Sequence, residues 1–227
     1  MKLFLSPFKP AMYLGVFLVL CIAVPLGRFE FGDGGLWTMA GAAVLWILFA
    51  IGGSHWPAMN QLGASFNRWM DSAVLTALVA AVALAPLTAA SAVYHQAHSP
   101  YYKWHDPFIV TNGEPMPWIN FSGEPYFVEG AAQDLTSVVS TVLLHFFIFI
   151  TMALTGVAIG LARGTRMQWF MLGSMFVGGF TGLLVGIYKA DVNPSDPYVY
   201  AIFVAAAGPV VLAASAIVFA RTRRFVR

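Results

Sequence analysis

Six long stretches of the chain carry almost no charge and are separated by segments that hold most of the charged residues: roughly 11–27, 35–54, 72–94, 134–161, 167–188 and 198–220. Each lies in or near the length at which a helix rising about 1.5 Å per residue crosses a hydrocarbon core of about 30 Å. No alternation of the kind a membrane barrel needs runs through them, and a lipid-facing backbone must satisfy its own hydrogen bonds. The pattern predicts an all-α fold, a polytopic membrane helix bundle with six transmembrane helices. Residues 1–227 then form one integral membrane domain.

Two of the connections have patterns of their own. Between the second and third stretches, Met59, Leu62, Phe66 and Trp69 recur at steps of three and four, among Asn60, Gln61 and Asn67. That spacing predicts an amphipathic helix over about 56–70, lying in the membrane interface either as a connector or as a docking element for a cytoplasmic ATPase. Between the third and fourth stretches lie about forty residues, including Tyr101, Tyr102, Trp104, Phe108, Trp118, Phe121, Tyr126 and Phe127. Loops this long are functional or disordered as a rule, and the aromatic content argues for order. An ordered cap over about 95–133 is expected, with turns at Gly113-Glu114-Pro115 and Gly123-Glu124-Pro125.

Small residues mark one face of several helices. Gly156, Gly160 and Gly164 are spaced by four, as are Gly178, Gly182 and Gly186 on the fifth stretch and Ala73, Ala77, Ala81 and Ala85 on the third. Such faces let backbones approach closely, within one bundle or between two copies of it. Pro86 and Pro209 fall inside their stretches, where each removes a backbone donor.

Composition agrees with a membrane setting: 59% of residues are hydrophobic and 10% charged, against about a quarter charged in soluble domains. The distribution of charge adds the topology. Nine of the twelve Lys and Arg (Lys2, Lys9, Arg68, Arg163, Arg166, Arg221, Arg223, Arg224, Arg227) fall on the side of the N-terminus, and nine of the ten carboxylates fall on the other, Asp71 excepted. Basic residues stay cytoplasmic, so both termini are expected in the cytoplasm and the cap outside, most naturally in a bacterial inner membrane. The first stretch, behind Lys2 and Lys9, reads as a retained span, since no cleavage pattern follows it. The C-terminal arginines read as a topology anchor and not as a nucleic-acid site. Cys21 is the single cysteine, so no internal disulfide can brace the cap.

Two groups of side chains could carry chemistry. Asp134, Ser137, Thr141 and His145 descend one face of the fourth helix from its outer end toward mid-membrane. An ionisable residue within a span is a functional candidate, as a substrate pathway, a proton relay or a hydrogen-bonding link between helices. The second group is His95, His98, His105 and Asp106, a candidate zinc or copper site at the start of the cap. The competing reading makes them headgroup-level polar residues. A bis-histidine haem site finds no pair, because His95 and His98 fall near one rim, His55 near the other, and His145 between them. No cofactor is assigned by these patterns, and HExxH, Walker A, GxSxG and CxxC motifs are absent.

Three functions fit. The first is a transporter or permease subunit that moves a small polar or ionic substrate along the stripe on the fourth helix; its layout is similar to that of small export-type permeases in topology alone. The second is a membrane subunit of a metal- or cofactor-dependent oxidoreductase complex, so whether the chain takes part in an enzyme stays open. The third is a noncatalytic scaffold. Each implies contact with the lipid bilayer and with other protein subunits.

Overall fold

The computed structural model describes residues 2–6, 10–31, 34–98, 108–109 and 135–177. Among them there is no strand. The helices are α1 (Lys2–Leu5), α2 (Pro10–Phe31), α3 (Gly34–Ser54), α4 (Trp56–Gln61), α5 (Phe66–His98) and α6 (Leu135–Leu161), and residues 166–177 are helical as well. Among the described residues, three segments are long and apolar enough to cross a membrane: Leu36–Gln61, Phe66–Tyr94 and Leu135–Leu161. These point to a membrane protein. The apolar part of α2, Ala11–Gly27, is shorter. The expected sixth span and half of the fifth lie outside the described residues.

Cross-helix pairs set the directions. Thr38 meets His145 near one end, and Gly53 meets Val157 near the other, so α3 and α6 run parallel. The α2 helix runs against α3: the Tyr13 hydroxyl donates to the Leu48 carbonyl at 2.9 Å, while Gly27 lies under the Trp37 ring. The α5 helix returns from α4 and packs on α2 and α6. One end of the bundle therefore gathers α1, α4, the start of α5 and the end of α6. The opposite end carries the end of α2, the start of α3, Phe108, Ile109 and the start of α6.

Close approach of α3 and α6 depends on missing side chains. A Cβ on Gly156 would run into the Trp46 carbonyl oxygen, one on Gly160 into that of Ala50, and one on Gly53 into that of Val157. Packing of this kind drives helix association in lipid, where tails are as apolar as the side chains they replace. The face formed by Gly156 and Gly160 is thus turned to α3 of the same chain. Gly164 is elsewhere: it lies in the turn after α6 with φ +76, and a Cβ there would meet nothing within 4 Å. Its use is the left-handed backbone, which lets the chain reverse so that Met171 packs beneath Ala158, Ile159 and Ala162. Gly178, Gly182 and Gly186 lie outside the described residues.

The segment 56–70 departs from the single in-plane helix its periodicity predicts. Helix α4 stops at Gln61, Gly63 takes φ +84, and a new helix begins at Phe66 and continues without interruption through α5. Leu62, placed by the spacing on the apolar face, is 82% exposed, while Trp56, Met59, Phe66 and Trp69 are buried. The break lets residues on both sides of it enter one aromatic cluster, in which Trp56 lies 5.1 Å from both Phe66 and Trp69. A straight amphipathic helix would have left them on an open face.

Candidate functional site

The polar stripe of α6 faces protein. Ser137, Thr141 and His145 are all buried, at 3%, 0% and 0% exposure, in a helix whose Leu135, Val139, Leu143 and Phe147 are exposed. Leucine and valine at the lipid-facing positions, with hydroxyl and imidazole groups between them, orient the helix about its axis, since burying a polar group against lipid is costly. Local hydrogen bonds then hold the stripe. The Thr141 hydroxyl donates to the Ser137 carbonyl at 2.8 Å, and His145 Nδ1 lies 2.8 Å from the Thr141 carbonyl.

A carbonyl can only accept, so the imidazole proton sits on Nδ1, and Nε2 of the neutral ring is an acceptor. Nε2 points across the helix interface to Thr38, whose hydroxyl oxygen is 3.5 Å away and fully buried. Thr38 was not distinguishable in the sequence, because a lone threonine on an apolar stretch has no periodic partner to mark it. Its place opposite His145 follows from the glycine contacts that bring α3 onto α6.

Aromatic rings flank the imidazole. Phe149, one turn further along α6, has its ring centre 6.2 Å from that of His145, and Phe108, from the long loop, lies at the same distance. The neighbouring Ile109 is buried against Ala92, with Val93 and Val138 beside it. Of the expected cap, residues 108 and 109 are thereby seen to return to the bundle between α5 and α6. Residues 95–98, expected at the start of the cap, continue α5; the remaining cap residues, and Asp134 at the head of the stripe, lie outside the described residues.

His95 and His98 occupy the last turn of α5, and their candidate metal partners His105 and Asp106 lie outside the described residues. Among the described residues no group of three or more His, Cys, Asp or Glu side chains is placed to hold a metal. What the site offers chemically is a buried imidazole with one nitrogen tied to its own helix and the other turned to a hydroxyl on the next. It can accept a hydrogen bond or a proton at Nε2.

Comparison with protein-family models, with curated proteins and with solved structures returns no match. The geometry therefore stands alone as the basis for function.

Proposed function

We propose that this chain is a transporter or permease subunit of a bacterial inner membrane, moving a small polar or ionic substrate past the polar stripe of α6. The observation that carries this reading is His145: a fully buried ionisable side chain in a membrane-length helix, continuous with Ser137 and Thr141 and bracketed by Phe108 and Phe149. Such groups are expensive in a membrane and mark pathways or relays. With Ser137, Thr141 and His145 covered, this is a closed state, and Phe108 is the cover on the cap side.

The test uses a chain freed of its native thiol by Cys21→Ser. Ser137→Cys and Thr141→Cys are introduced singly, and a membrane-impermeant thiol reagent is applied from the cap side in intact membranes. Reaction at either position supports a water-filled path. Folded protein that reacts at neither removes it.

A scaffold role is the second reading, favoured by a specific observation: Thr141 and His145 find hydrogen-bond partners in the Ser137 and Thr141 carbonyls and in Thr38. A satisfied stripe is what a structural link between helices needs, and the same labelling separates the two, since a dry link excludes the reagent.

A further inference from the structure

We infer that α1 is a removable plug closing the α4 end of the bundle, with Phe4 as its stopper. This rests on the transport reading above. Phe4 is 1% exposed although it belongs to a helix of four residues. A helix that short has no stability of its own, so α1 holds its position by insertion. The seat is specific: a Cβ on residue 52 would run into the Phe4 ring, so only glycine at that position leaves room. The ring stacks on Phe49 at 5.4 Å and tilts against Trp69 at 5.5 Å, and the Phe4 backbone N–H donates to Ser72 Oγ at 3.0 Å. One side chain and one N–H thus join the end of α3 to the start of α5.

The seat also carries a penalty that opening relieves. Trp69 is fully buried, and its indole N–H meets no hydrogen-bond acceptor among the described residues. A buried donor left unpaired forfeits its hydration, and the loss is recovered when the plug withdraws and water reaches the indole. The seat connects to the proposed path through continuous packing: below His145, α6 presents Phe149, Ala153 and Val157, all at 0% exposure, in the same core as Phe4 and Trp69. A path that passes His145 has to part this core to reach the α4 end, and α1 is the element bridging α3 and α5 there.

The experiment uses the full chain carrying Cys21→Ser, with Ser72→Cys or Thr141→Cys, in membrane vesicles of either orientation treated with a membrane-impermeant maleimide. Phe4→Ala empties the seat from the plug's side, and Gly52→Ala expels the ring without touching α1. Both should speed labelling of Ser72→Cys and of Thr141→Cys from the α4 side at least tenfold. Acceleration at Ser72→Cys alone makes α1 a packed structural segment and overturns the plug; no acceleration at either position in either background overturns it too. If Thr141→Cys still reacts from the cap side in those cases, the transport path survives the loss of the plug. A Thr141→Cys protein silent from both sides in every background removes the path and the plug together.

Discussion

His145 Nε2 and Thr38 Oγ1 lie 3.5 Å apart, both side chains fully buried, and form a polar link between the parallel helices α6 and α3. Hydrogen bonds between membrane helices contribute about 0.6 kcal/mol on average and up to about 1.7 kcal/mol. Thr38→Val and His145→Ala should therefore be non-additive, with a coupling of about 0.5–1.5 kcal/mol in a double-mutant cycle measured by detergent-induced unfolding. Strict additivity would mean that the two groups meet without interacting.

The glycine contacts separate two roles for the same residue type. Gly160→Ala drives a Cβ into the Ala50 carbonyl and should lower stability by about 1–3 kcal/mol through overpacking. Gly164→Asn meets open space and keeps a residue that tolerates the left-handed region, so its cost should stay under about 1 kcal/mol. Thermal unfolding of the two variants in one detergent ranks them. Equal losses would contradict the assignment of Gly160 to the α3 interface.

Phe108 is the described part of the cap that touches the imidazole. Phe108→Ala should speed the reaction of Thr141→Cys with an impermeant thiol reagent from the cap side severalfold, with little change in unfolding temperature. An unchanged rate would show that other residues of the loop provide the cover.

Trp69 gives a test of the unpaired donor. Trp69→Phe removes the indole N–H, relieving about 1–3 kcal/mol of unmet hydrogen bonding while giving up part of the ring's packing. The variant should stay within about 1 kcal/mol of the parent, whereas Trp69→Ala, which leaves a cavity, should lose about 3–5 kcal/mol. Equal losses for the two substitutions would argue that the N–H is well satisfied.

Much of the helical architecture was legible because hydropathy reports on the solvent that each residue meets. The stretches 35–54, 72–94 and 134–161 correspond to α3, α5 and α6, with α5 extended at both ends. The stripe Ser137, Thr141 and His145 was legible for a related reason: a period of four on an apolar helix has only one face to occupy. Segment 56–70 was misleading, since Leu62 satisfies the amphipathic spacing yet is exposed. Periodicity cannot register a left-handed glycine that resets the helix phase, and Gly63 does that here.

By itself, then, the sequence determined that 35–54, 72–94 and 134–161 hold long apolar helices suited to lipid, because backbone satisfaction and apolar length are local properties of the chain. Tertiary structure decided which surfaces meet. It set Gly156 and Gly160 against α3 while leaving Gly164 to a turn, gave His145 its partner in Thr38, and seated Phe4 over Gly52. Those pairings join residues up to 110 positions apart, as Gly156 with Trp46, and they follow from the fit between two surfaces, a property that neither surface carries in its own sequence.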